Sequence, residues 1–61
     1  MISFEEAEKL LTPQQRSELA RVVLENAALP GELSEAQRSF CMGLEAYCEY
    51  ECRSDVEKYL L

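Results

Sequence analysis

Apolar residues recur along this chain every three to four positions, and no stretch shows the period-two alternation of a half-buried strand. The only adjacent β-branched pair, Val22-Val23, lies inside a helical pattern, so no sheet is expected. Three helical segments each open on a hydroxyl residue followed three positions later by Glu or Gln: Ser3/Glu6, Thr12/Gln15 and Ser34/Gln37. In such a capping box the hydroxyl accepts a hydrogen bond from one orphan amide, and the longer side chain reaches back to another. A fourth match, Ser54/Glu57, falls within a longer apolar stripe.

The first helix is predicted over about residues 4 to 11, with Phe4, Ala7, Leu10 and Leu11 on one face. Glu5, Glu6 and Glu8 stand where the helix dipole favours acids. Thr12-Pro13 restarts the chain, because proline has no amide to lose at a first helical position. The second helix then carries Leu19, Val22, Val23 and Asn26 on one side, with Ala20, Leu24 and Ala27 widening the apolar face. It is expected to end near Ala28, since Leu29 precedes a proline and Gly31 suits a turn. In the third helix the stripe reads Ala36, Phe40, Cys41, Leu44, Tyr47, Cys48, Cys52, Val56 and Tyr59. Its continuity past Ser54 favours one long helix over a new start there, although a break near Arg53 is the alternative.

The short Leu-Pro-Gly-Glu-Leu connection favours neighbouring helices that run antiparallel. The predicted fold is therefore all-α: an antiparallel helical hairpin of residues 13 to 28 and 35 to at least 52, with a short N-terminal helix folded over one end. Residues 1–61 make a single small domain, close to the size at which one apolar core only marginally outweighs chain entropy. Help from a partner or a second copy fits that size.

Charge narrows the classes of partner. Twelve carboxylates against six Lys and Arg give a net charge of −6, with most of the excess in the C-terminal half. That field repels nucleic-acid phosphates and anionic lipid and favours a basic protein partner. No apolar run approaches bilayer-spanning length, and the start Met1-Ile2-Ser3-Phe4-Glu5-Glu6 has no basic stretch followed by an apolar one, so a cytoplasmic location is expected.

Candidate chemistry is sparse. The chain has no histidine, which removes the commonest general base. Glu5/Glu6, Glu49/Glu51 and Asp55/Glu57 are one or two positions apart, a spacing that diverges on a helix. Arg16, Arg21 and Arg38 interleave with Glu18, Glu25 and Glu35, and neither Gly31 nor Gly43 belongs to a phosphate-binding loop. Cys48 and Cys52 share a helical face, but Cys41 lies about 16 Å along the helix from Cys52, too far to share an ion. The three cysteines are read as small buried apolar residues, with an intermolecular disulfide or redox thiol as the alternative. No cofactor, metal, small-molecule substrate or enzymatic activity is expected.

A second row runs along the back of the third helix: Ser39, Gly43, Ala46 and Tyr50, with Met42 beside it. A mid-helix glycine costs about 1 kcal/mol relative to alanine, so Gly43 calls for a reason. Either another chain approaches there, or Gly43 makes room for the first helix or for other packing within the chain. On the first reading Tyr50 is the large contact, and Glu45, Glu49 and Arg53 form a charged rim that selects the partner.

The short acidic chain, its start Ser3-Phe4-Glu5-Glu6-Ala7, the restart Leu11-Thr12-Pro13-Gln14-Gln15-Arg16 and the Cys-rich last helix together resemble the small accessory proteins of lambdoid temperate phages. That resemblance implies a nonessential early protein acting in the host cytoplasm. It would modulate host physiology or the choice between lysis and lysogeny through protein contacts. The expected function is thus a non-catalytic helical interaction module or regulator, self-associating or bound to another protein. The alternatives are an acidic inhibitor that mimics nucleic acid and, more remotely, a direct nucleic-acid- or metal-binding regulator.

Overall fold

The computed structural model describes residues 2–28, 31–50 and 53–61, Tyr50 by its backbone alone. The fold is all-α, with no strand among the described residues: α1 (Phe4–Leu10), α2 (Pro13–Leu24), α3 (Glu35–Tyr50) and α4 (Ser54–Glu57). The expected helix starts form as the hydroxyl residues dictate. Ser3 Oγ accepts from the Glu6 amide at 3.1 Å. Thr12 and Gln15 close a reciprocal box at 2.9 and 3.1 Å, and Ser34 and Gln37 close another at 2.8 and 3.2 Å.

The end of α2 differs from expectation by several residues, for a local reason. Asn26 takes a left-handed backbone, φ 55°, the only positive φ outside glycine among the described residues. The Asn26 amide then donates to Val23 O at 3.1 Å and the Ala27 amide to Val22 O at 3.0 Å. This is the Schellman pattern, in which asparagine stands in for the usual glycine because its short polar side chain tolerates that region. Asn26 therefore stops the helix instead of extending its apolar face.

Two further carbonyl ends are capped by arginines from elsewhere in the chain. Arg16 Nη1 donates to the carbonyls of Glu8 and Leu11 at the end of α1. Arg53 Nη2 donates to the Leu24 carbonyl at the end of α2, 3.1 Å away. Both satisfy acceptors that a helix leaves without an internal partner.

The core is built from Ala7, Leu11, Leu19, Ala20, Phe40, Cys41, Leu44 and Val56, drawn from every helix and the α1–α2 junction. Helix α3 is the axis of the fold: α1 and α2 both pack along it, and α4 touches α2 and α3. Helix α1 packs on α3, where Phe4 meets Phe40, Gly43 and Tyr47. Leu33 and Gln37 line one cavity with Gln15 and Leu19, whereas Arg53 beyond α3 reaches the last carbonyl of α2.

The C-terminal stripe is interrupted. Helix α4 is a separate element with Arg53 at its N-cap position, and Ser54 is its first helical residue, one place inside the position a capping hydroxyl needs. The expectation of one long helix is thereby corrected. Val56 enters the core and the Tyr59 ring meets Phe40 edge-on, with centroids 5.1 Å apart. The Tyr59 hydroxyl donates to Glu8, and the Leu61 amide donates to buried Ser17 Oγ at 3.1 Å, tying the last residues to α1 and α2. Cys52, also in the expected stripe, lies outside the described residues.

The strained Asn26 gives a direct check on this account of the α2 end. Asn26→Gly should raise stability by up to about 1 kcal/mol and Asn26→Ala should lower it by about 1 kcal/mol, because a Cβ without a compensating polar group disfavours the left-handed region. Urea unfolding followed by far-UV circular dichroism measures both; a neutral Asn26→Ala would remove the backbone argument.

Candidate functional site

The residues singled out on the back of α3 do not act as one row. A Cβ built on Gly43 would lie 2.3 Å from Phe4 Cδ2 and 2.8 Å from Phe4 Cε2. The space that glycine leaves is filled by the protein's own N-terminal helix, so Gly43 is corrected from a partner contact to an internal packing position. Phe4 stacks there on Phe40 with centroids 5.1 Å apart and planes inclined by 1°, and it meets Tyr47 edge-on at 5.8 Å. Displacing its ring would disturb both aromatic pairs, each worth about 0.5–1.5 kcal/mol beyond simple burial.

The remaining positions lie to one side of Gly43 on the helix. Met42 is 64% exposed, and with half-buried Ser39 it lines a shallow open cavity of about 410 Å³ together with Leu33, Glu35 and Arg38. Ala46 is exposed one turn beyond Met42. Glu45 and Glu49 are also exposed, Glu45 beside the end of α2 where it borders a smaller cavity with Val22 and Asn26. Arg53, expected in a partner-selecting rim, is exposed and gives one guanidinium donor to the Leu24 carbonyl. The side chain of Tyr50 lies outside the described residues.

Sequence reasoning passed over Leu33, Glu35 and Arg38 as lining residues, although a signal was present. Ser34 caps α3, which puts Leu33 at the preceding position and Arg38 at the fourth helical one. These are the two places where a hydrophobic staple forms. With arginine in place of an apolar residue at the second place, Leu33 packs partly on the core and partly borders the open cavity.

The titratable groups with altered protonation serve the core. Burial pushes the Cys41 thiol up from 9.0 to about 11, with the Glu45 carboxylate adding to the effect. Burial also raises the Tyr59 phenol, reinforced by its hydrogen bond to Glu8. Both side chains are held neutral, the opposite of what an activated nucleophile requires. Cys48 is half-buried, and among the described residues no three His, Cys, Asp or Glu side chains gather where an ion could be held.

Two measurements follow from this geometry. Gly43→Ala should destabilise by about 1–2 kcal/mol, since the displacement of Phe4 outweighs the gain in helix propensity of about 1 kcal/mol. Adding Phe4→Leu should make that loss smaller, a coupling that a double-mutant cycle in urea reads directly. The second measurement is of pH. The folded Cys41 pKa lies above its ordinary value, so its contribution is fully present below about pH 9 and is lost as pH rises towards about 11. Stability should therefore fall across that window, and Cys41→Ala, though weaker at pH 8 from lost packing, should show a shallower decline.

The chain matches no protein-family model, no curated protein and no solved structure.

Proposed function

We propose that this chain is a small helical protein-interaction module or regulator without catalytic activity, and that it binds its partner through the exposed face of α3 centred on Met42. The observation that carries this reading is the exposed Met42 beside an open cavity bordered by Leu33, on a helix whose residues Phe40, Leu44 and Tyr47 pack in or against the core. Methionine is unbranched and polarisable, so it adapts to a partner's surface at little steric cost. Ala46 keeps the adjacent turn low, which leaves room for a second element to lie along the helix.

The face is also free of duties in folding. Phe40, Cys41 and Leu44 are buried in the core, Gly43 receives Phe4, and Tyr47 packs on Phe4 of α1, so the fully buried residues of α3 are on its other sides. No described helix is long and apolar enough to cross a membrane. Action by protein contact in a host cytoplasm, as the phage accessory proteins imply, agrees with a module of this kind.

Met42→Glu tests the reading without touching the core. The variant should match the parent in unfolding free energy to within about 0.5 kcal/mol, as expected of a surface change. In affinity capture from host lysate it should lose at least one species that the parent retains. Gln14→Glu, which adds the same charge at an exposed position on α2, should retain that species. Identical capture by all three proteins would place function elsewhere on the molecule.

A further inference from the structure

We propose that residues 53–61 form a strap that opens as one unit while α1, α2 and α3 stay folded, giving the chain a second form in which Phe40 is uncovered on its Tyr59 side. This device is independent of what binds at Met42. The strap's backbone bonds are largely its own: the amides of Val56, Glu57, Lys58, Tyr59 and Leu60 all donate to carbonyls of residues 53 to 57, at 2.9–3.2 Å. It can therefore move without losing its internal order. Its polar links to the rest of the chain run from Arg53 to the Leu24 carbonyl, from the Tyr59 hydroxyl to Glu8 and from the Leu61 amide to Ser17 Oγ.

The apolar hold is narrow. Val56 is fully buried and Tyr59 half-buried, whereas Arg53, Ser54, Glu57, Lys58, Leu60 and Leu61 are exposed. Each ordered residue costs backbone entropy whether or not its side chain is buried, so this segment is held chiefly by one valine and one tyrosine. A single helical turn contributes little by itself, and α4 has no side-chain bond at its N-cap. The other helices have more to hold them. Apart from Val56, every core residue comes from α1, α2, α3 or the α1–α2 junction, and the stack of Phe4 on Phe40 lies wholly among them. Segments with few buried contacts open at lower free energy than the whole domain. Phe40 keeps the Phe4 ring in both forms and has the Tyr59 ring against it in the closed form alone.

Native-state hydrogen exchange of the isotope-labelled full chain, followed by NMR at low urea concentrations, tests the strap. The amides of Val56, Glu57, Lys58, Tyr59 and Leu60 should share one protection factor and one urea dependence, at least about tenfold below the protection of Phe40 and Leu44. Tyr59→Phe keeps the ring and removes the hydroxyl on Glu8, and it should lower that shared value about fivefold. Ser34→Ala removes the α3 cap, which is present in both forms. It should lower the protection of Phe40 and Leu44 about fivefold and leave the strap amides unchanged. Protection that declines steadily from Val56 to Leu60 would mean end-fraying and would overturn the proposal. So would equal protection of strap and α3, a Ser34→Ala loss that both share, or a strap indifferent to Tyr59→Phe.

Discussion

The stacking of Phe4 on Phe40 over the bare backbone of Gly43 is the contact on which the other helices depend. With planes inclined by 1° and centroids 5.1 Å apart, the rings are parallel and offset, an arrangement that the aromatic quadrupoles favour over direct overlap. Only a residue without Cβ at position 43 lets the Phe4 ring come this close to α3. Phe40 then presents its other surroundings to the Tyr59 ring, so one side chain organises both ends of the chain. A helix of α1's length has little stability alone, and burial of Ala7 and Leu11 beside the stack makes it part of the domain.

Around that cluster the polar groups are arranged to close helix ends. Arg16 and Arg53 each donate to carbonyls that their own helices do not supply, joining α2 to α1 and the α3–α4 junction to α2. Ser17, buried on α2, accepts from the Leu61 amide, and no buried side-chain polar atom among the described residues lacks a partner. In so small a domain a single unpaired buried group would cost about 1–3 kcal/mol, a large share of the total stability. The neutral Cys41 thiol and Tyr59 phenol fit the same arrangement, since ionising either would put a charge into the packed interior.

With the core, caps and tail closed in this way, the exposed face of α3 is left with apolar surface that the fold does not use. Exposed Met42 and half-buried Leu33 border an open cavity there with Glu35, Arg38 and Ser39. The proposed function draws on that arrangement: Phe40, Cys41 and Leu44 of α3 are buried in the core, and Met42 is exposed.

Local chemistry was legible in the sequence wherever it acts within a few residues. The hydroxyl and Glu or Gln pairs fixed three helix starts, Pro13 restarted the chain, and the three-to-four-residue spacing marked Phe40, Cys41, Leu44 and Val56 as core. The helical class follows from those signals alone. What needed the tertiary structure were choices between partners far apart in sequence. Leu10 has the right spacing to be buried yet is 67% exposed, because α1 turns Ala7 and Leu11 towards α3. Gly43 suited a foreign helix or its own chain equally well until Phe4 was seen to occupy it. The start of α4 was invisible to periodicity, which runs on unbroken, and the Ser54/Glu57 match placed it one residue late; Val56 in the core and Tyr59 against Phe40 and Glu8 are contacts between residues far apart in sequence.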